Sequence, residues 1–198
     1  MQRQRRNNNK RNRFSMFLPI LTIIGIGIII AIVTDYEINW TYNWNGIRKE
    51  IKDSIKVAEV YGITSGVIGV AGFSTKSEVN RRRWIMGNAT ESELLKLTEY
   101  PGGTIKAIAY EGLLRKNNFL DKTNLTLKAI RDTTYLVNYQ SGCLVSDIEI
   151  GEYLVEIVLK IDDQSPPFPT YMINDFGLSE LDREKILTEF RKKPKKEY

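Results

Sequence analysis

The side chains that most often carry out catalysis are scarce in this chain of 198 residues, which has one cysteine and no histidine. The absence of histidine excludes Ser-His-Asp and Cys-His catalysis and histidine-ligated zinc. A reactive thiolate needs a base, a cation or a helix N-terminus to lower its pKa, but no basic residue lies between Arg131 and Lys160. Because free cysteines are commonly buried, we expect Cys143 to be structural, with pairing between two chains as the alternative. No metal or cofactor site is predicted.

Acidic side chains are concentrated towards the C-terminal side of the cysteine, at Asp147, Glu149, Glu152, Asp162 and Asp163. Two such carboxylates could act as the acid and the base of glycoside hydrolysis. Carboxylates also bind Ca²⁺, but the EF-hand spacing is absent. Charged residues at a strand edge protect a sheet against aggregation, and this solvated role is the favoured interpretation.

A basic run, Arg81 to Arg83, is followed directly by Trp84. Such a run could bind an acidic partner or lipid head groups. The alternative is the solvated face of a helix whose tryptophan is buried. We take Arg81, Arg82, Arg83 and Lys106 as candidate contacts to a partner or a lipid.

The formal charge of +5 comes from the two ends of the chain. Residues 1–13 carry six cations and no acid, whereas residues 34–190 carry 18 basic and 23 acidic residues. A nucleic-acid-binding domain would be expected to have a basic folded part. We therefore expect no nucleic-acid partner.

The strongest pattern in the sequence is the apolar run 16–33, in which Thr22 is the only polar residue. A helix of this length spans about 27 Å, close to the thickness of the hydrocarbon core. The run predicts a transmembrane anchor, with a cleaved signal peptide or a soluble core helix as alternatives. Cations precede the run, and the first cation after it is Arg48. The positive-inside rule then predicts a cytoplasmic N-terminus and an extracytoplasmic or periplasmic C-terminal domain, at the cytoplasmic (inner) membrane.

These expectations divide the chain into five parts. They are a basic cytoplasmic tail (1–15), the transmembrane anchor (16–33), an aromatic juxtamembrane linker (34–44), an extracytoplasmic helical domain (45–192) and a basic disordered tail (193–198).

Several helices are predicted from apolar periodicity and capping signals. Two Thr-x-x-Glu capping boxes, Thr75 with Glu78 and Thr90 with Glu93, each open a helix. Further helices are predicted over 45–61, from 104 with an apolar stripe to 113, over 119–130, and over 180–192 after the cap Ser179. Residues 151–160 could form a helix or a strand, and we favour the helix. On the stripe, the small residues Ala109 and Gly112 allow a neighbouring helix to approach closely.

Two stretches between these helices have a different composition. Residues 133–150 are rich in β-branched and aromatic residues and predict a short hairpin, with its turn at 140–142. Residues 61–73 are apolar, glycine-rich and uncharged. We expect a buried linker there, or a contact with a membrane surface.

The run ATESELLKLTEYPGGTIKAIAYEGLLRK, residues 89–116, resembles a HEAT-type helical repeat. Lys106 stands where that pattern usually has arginine, Ala109 matches the small core position, and Asp132 ends the helix of the following unit. Together with the later SGCLVSD-IEIGEY, the chain is similar over roughly residues 75–160 to uncharacterised bacterial membrane-anchored or exported proteins. HEAT-like surfaces usually bind other proteins, so the resemblance implies an interaction role.

The sequence thus predicts a mainly α fold, in which an N-terminal transmembrane helix precedes a small HEAT-like helical domain with a short β-hairpin. The predicted function is a single-pass membrane-anchored interaction or scaffold component of a cell-envelope assembly, not an enzyme. The alternative function is a carboxylate-dependent envelope enzyme acting on glycan or lipid.

Overall fold

The computed structural model describes residues 14–162 and 176–193. The chain forms two compact units, Met1–Asn43 and Trp44–Tyr198. In the first unit, helix α1 (Phe14–Thr41) contains Pro19. The predicted tail 193–198 lies outside the described residues except for its first position, and 1–13 of the N-terminal tail also lie outside them.

The prediction of a transmembrane anchor at 16–33 is wrong. Within the part of the chain that the structure describes, no helix is both long enough and apolar enough to cross a membrane. Helix α1 also continues beyond the apolar run to Thr41, through a stretch that contains Asp35 and Glu37.

The second unit is mainly helical, as predicted. Its helices are α2 (Lys49–Tyr61), α3 (Lys76–Asn88), α4 (Glu91–Leu97), α5 (Gly103–Arg115), α6 (Lys122–Arg131), α7 (Ile150–Glu152), which continues as a π-helical segment (Tyr153–Leu159), and α8 (Glu180–Arg191). Helix α5 lies at the centre, because every residue from Gly103 to Leu114 is buried. It packs against α2, α3, α4, α6 and the π-helical segment.

Small residues on α5 let its neighbours approach, as the apolar stripe predicts. Ala109 is fully buried. A Cβ atom added at Gly112 would lie 3.1 Å from both Cδ atoms of Leu94 and 3.4 Å from Cγ of Met86. Glycine at this position therefore allows α3 and α4 to pack directly on α5.

One of the two predicted capping boxes is confirmed. The Thr90 hydroxyl accepts from the Glu93 backbone N–H at 3.2 Å, and the Glu93 carboxylate accepts from the Thr90 N–H at 2.8 Å. The box at Thr75 and Glu78 is wrong, because the side chain of Thr75 makes no cap hydrogen bond. The Thr75 hydroxyl is instead buried against Thr64, at 2.8 Å, so a tertiary contact replaces the local one.

The second unit also contains a four-stranded mixed sheet of order β2-β1-β3-β4. Its strands are β1 (Ile63–Ile68), β2 (Phe73–Ser74), β3 (Leu136–Gly142) and β4 (Leu144–Glu149). The predicted hairpin is β3–β4, which pairs antiparallel, but it turns at 142–143 rather than at 140–142, since Ser141 lies opposite Leu144. The expectation of a linker over 61–73 is wrong, because this segment forms β1 and β2, and β1 pairs parallel to β3.

The C-terminal helical predictions hold. Residues 150–159 are helical, mostly as the π-helical segment. Ser179 caps α8 through a capping box with Asp182. Helix α8 packs on α6, where Arg131 forms an ion pair with Glu189 at 2.9 Å.

Candidate functional site

A cleft of about 530 Å³ lies between the C-terminal half of α3 and the C-terminal end of α5. Four of its eight lining residues are cationic, and one is acidic. The lining consists of Arg82, Arg83, Met86, Gly87, Glu111, Gly112, Arg115 and Lys116. We call this feature the basic cleft.

The basic cleft forms where two helices end, and this explains part of its composition. The last carbonyls of a helix have no intrahelical partner, and the helix dipole favours cations there. Lys116, directly after α5, donates from Nζ to the Gly87 carbonyl in the last turn of α3, at 3.3 Å. The C-terminal end of α3 thus attracts Lys116. The close packing of Met86 on Gly112 holds α3 against α5.

The floor of the cleft is a buried carboxylate. Glu111 is 2% exposed, and its Oε1 accepts from Arg115 Nε at 2.8 Å and from Arg115 Nη2 at 2.7 Å. Its Oε2 accepts from the Tyr153 hydroxyl at 2.6 Å. Burial and the charge of Glu111 raise the pKa of Tyr153 well above its ordinary value. Tyr153 therefore stays protonated and acts as a hydrogen-bond donor at physiological pH.

Arg82 lies beside this floor but is weakly held. Its Nη1 donates to the Tyr153 hydroxyl over a long 3.4 Å, and its Nε lies 3.9 Å from Glu111 Oε2, beyond hydrogen-bonding distance. The Nε atom is buried and has no acceptor within the described residues. An arginine has five N–H donors, so most of the donor capacity of Arg82 is unused.

Arg83 and Gly87 form the outer wall. Arg83 is exposed, and its guanidinium forms no ion pair with any described residue. At Gly87, an added Cβ would meet no atom within 4 Å. The wall at Gly87 is open space that a side chain could fill.

The predicted partner contacts fall into two groups in the structure. Arg82 and Arg83 lie on the basic cleft, next to Trp84, which is 40% exposed rather than buried. Arg81 points elsewhere, with its guanidinium 5.9 Å from the ring centroid of Tyr61.

Lys106, the fourth predicted contact, is not available to a partner. It is buried, and its Nζ forms an ion pair with Asp132 Oδ2 at 2.6 Å. The ammonium also lies 4.9 Å from the ring centroid of Tyr135. Lys106 thus joins α5 to the end of α6 inside the fold.

Cys143 lies at the turn between β3 and β4, where it is exposed. The expected burial of Cys143 is therefore wrong, because the hairpin turn is exposed to solvent. The ends of the two hairpins lie side by side, since the Gly69 N–H donates to the Gly142 carbonyl at 2.7 Å. Exposed apolar residues gather there, with Val70 95% exposed and Phe73 and Leu144 also exposed.

The acidic residues considered for catalysis have separate partners. Glu149 forms an ion pair with Lys193 at 2.8 Å, and the buried Asp162 pairs with Arg191 at 3.2 Å. Asp147 accepts a hydrogen bond from Asn138 at 3.2 Å. Among the residues that the structure describes, no group of three metal-ligating side chains is present. Asp163 lies outside the described residues.

Sequence reasoning named Arg82 and Arg83 but missed Glu111, Arg115 and Lys116 of the basic cleft. Glu111 and Arg115 are four residues apart on α5, a spacing that brings two side chains together on a helix. Followed by Lys116, this spacing was a usable signal for a basic helix end. No local pattern connects Tyr153, which comes from a distant segment, to Glu111.

Comparison of the chain with family models, with curated proteins and with solved structures gives no significant match. The HEAT-type resemblance of residues 75–160 stays a prediction.

Proposed function

We propose that the protein is a protein-interaction module, and that its basic cleft binds an acidic segment of a partner protein. The observation that carries the proposal is the excess of cationic side chains in one cleft. Glu111 is already engaged by Arg115 and Tyr153. Arg82 lies 3.9 Å from the same carboxylate, so the four cations of the lining share one acid and leave a net excess of three positive charges.

The shape and composition of the cleft also support a protein ligand. A volume of about 530 Å³ exceeds what a single small ion requires. Met86 and the two glycines add apolar wall and backbone to the charged groups. Arginine forks bind carboxylates bidentately. Trp84 follows Arg83 in sequence and is partly exposed outside the cleft lining, and aromatic residues are enriched at protein interfaces.

The experiment compares three full-length tagged proteins in a pull-down: wild type, Arg83→Glu and Lys56→Glu. Both substitutions reverse one exposed helical cation, but Lys56 lies on α2 and away from the cleft lining. We expect at least one partner, identified by mass spectrometry, to bind the wild type and Lys56→Glu but not Arg83→Glu.

The captured partner should also dissociate with increasing salt, because rim charges act through screened electrostatics. Thermal melting of each variant shows whether the fold is kept. Equal capture by Arg83→Glu and the wild type would overturn the proposal.

A further inference from the structure

We infer that the group bound in the basic cleft is a phosphoryl group carried by a serine or threonine side chain of the partner. The inference rests on the proposed function and specifies the chemistry of its ligand. Three properties of the cleft carry it: its uncompensated charge, the arrangement of its donors and the room around them.

The charge of the cleft fits a dianion better than a single carboxylate. Arg82, Arg83 and Lys116 remain after Glu111 has been balanced by Arg115. A phosphorylated side chain carries a charge of about −1.5 to −2 at pH 7, whereas a carboxylate carries one negative charge. A phosphoryl group therefore neutralises more of the excess positive charge of the cleft than a carboxylate does.

The donors come from two different helices and surround the cleft. Arg82 and Arg83 belong to α3, and Lys116 follows α5. Arg82 and Arg115 both approach the same carboxylate of Glu111, at 3.9 and 2.7 Å, so their guanidiniums converge on the floor. A phosphoryl group has three acceptor oxygens, one more than a carboxylate, so each of three cations can bind its own oxygen.

Glu111 and Tyr153 act as positioning residues in this arrangement. The short hydrogen bond from Tyr153 to Glu111 Oε2 fixes the carboxylate. The carboxylate in turn holds Arg115 through two contacts. The guanidinium of Arg115 also lies 5.4 Å from the ring centroid of Phe176. Arg82 and Lys116 are held only by long contacts, of 3.4 Å to the Tyr153 hydroxyl and 3.3 Å to the Gly87 carbonyl, which a ligand anion can replace.

Substitutions at Gly87 test whether ligand binding needs the space inside the cleft, because they leave the charges of the cleft unchanged. Gly87→Leu leaves every charge in place but puts a side chain where a Cβ meets nothing within 4 Å. Gly87→Ala is its matched control, since a methyl group occupies little of the cleft. Loss of binding in Gly87→Leu alone would locate the ligand inside the cleft.

The test is calorimetric titration of the full-length protein with three probes: sodium phosphate, O-phosphoserine and glutamate. We expect phosphate and phosphoserine to bind at least about tenfold more tightly than glutamate, because the three cations favour a dianion. Arg83→Glu should weaken phosphoserine binding by about tenfold or more, and Gly87→Leu should also weaken it. Lys56→Glu should bind as the wild type does, and Gly87→Ala should weaken binding less than Gly87→Leu does.

The outcomes separate the inference from the proposed function. Equal or tighter binding of glutamate would overturn the phosphoryl inference while the pull-down result still supported an acidic partner. Phosphoserine binding that is unaffected by Arg83→Glu would also overturn it, since the anion would then bind elsewhere. Capture of a partner whose binding survives phosphatase treatment would contradict the inference in the same way. Failure of both the pull-down and the titration would remove the proposed function as well.

Discussion

Protonation of Glu93 should weaken the fold at acid pH by an amount that the structure allows us to estimate. The carboxylate is 3% exposed and lies against the half-exposed guanidinium of Arg48. It accepts from Arg48 N, Nε and Nη2 at 2.9, 3.0 and 2.9 Å, and from Thr90 N and Oγ1 at 2.8 and 3.1 Å. The bonds from Arg48 outweigh the cost of burial and lower the pKa of Glu93 from 4.5 to about 2.

The magnitude and the pH range follow from this pKa. One pKa unit corresponds to about 1.4 kcal/mol, so the ionised form stabilises the fold by about 3 kcal/mol, or about 2 kcal/mol after allowing for solvent screening at Arg48. Because the folded-state pKa is the lower one, this stabilisation is fully present above about pH 5. It is lost as the pH falls from the unfolded-state value of 4.5 towards about 2.

The assay is urea unfolding of the wild type, Glu93→Gln and Glu91→Gln at pH 7 and pH 3. We expect Glu93→Gln to be about 2 kcal/mol less stable than the wild type at pH 7, with the difference at least halved at pH 3. Glu91, exposed in the first turn of the same helix, is the matched control and should change stability by less than about 0.5 kcal/mol. A constant difference between Glu93→Gln and the wild type at both pH values would refute the reasoning.

Three further predictions compare matched positions in thermal or urea unfolding. Gly103→Ala should cost more than about 2 kcal/mol, because its Cβ would overlap the backbone of β3, whereas Gly87→Ala should stabilise α3 by about 0.5–1 kcal/mol. Lys106→Met should cost about 3 kcal/mol by leaving a largely buried carboxylate unpaired, whereas Lys128→Met should cost less than about 1 kcal/mol because its ion pair is exposed. Ser179→Ala should cost about 1 kcal/mol by removing the cap of α8. Equal losses of stability in the two glycine variants or in the two lysine variants would contradict these assignments. A Ser179→Ala variant as stable as the wild type would do the same.

The helices of the second unit could be predicted because their signals are local. The stripe of Ile51, Ile55 and Ala58 gives α2, and the Thr90 capping box gives the start of α4. The box at Thr75 failed because its hydroxyl is used by Thr64 on β1. A local motif cannot show which tertiary contact will compete with it.

Of the sheet, only the β3–β4 hairpin could be predicted, because the pairing of β1 depends on a distant segment. The β3–β4 hairpin is formed by adjacent residues, so its alternating composition is sufficient. Strand β1 pairs with β3 across more than 60 residues of sequence, with Ile63 opposite Tyr139. The four glycines of segment 61–73, of which Gly66 lies within β1, interrupt the alternation that would mark a strand. The prediction from the apolar run 16–33 was wrong, since no helix in the described part of the chain is long and apolar enough to cross a membrane.

The candidate site, like the sheet, could be predicted only where the signal is local in sequence. The basic run on α3 was recognised from its composition, and Arg82 and Arg83 do line the basic cleft. Lys106 was misassigned, because its pairing with Asp132 depends on how α5 and α6 pack. The roles of Glu111 and Tyr153 come from the packing of α5 against the π-helical segment, 42 positions away in sequence. The basic character of α3 could be predicted from the sequence. Which cations are neutralised by carboxylates elsewhere in the fold could not.

The most direct test of the basic cleft as a binding site is a backbone amide NMR titration of the full-length protein with O-phosphoserine. We predict that the amide signals of residues 82–87 and 111–116 shift in a saturable manner, while those of α8 stay unchanged. The same titration of Arg83→Glu should show no saturable shifts in these segments. Saturable shifts confined to another surface, or no saturable shift in the wild type, would contradict the assignment of the basic cleft as a phosphoryl-binding site.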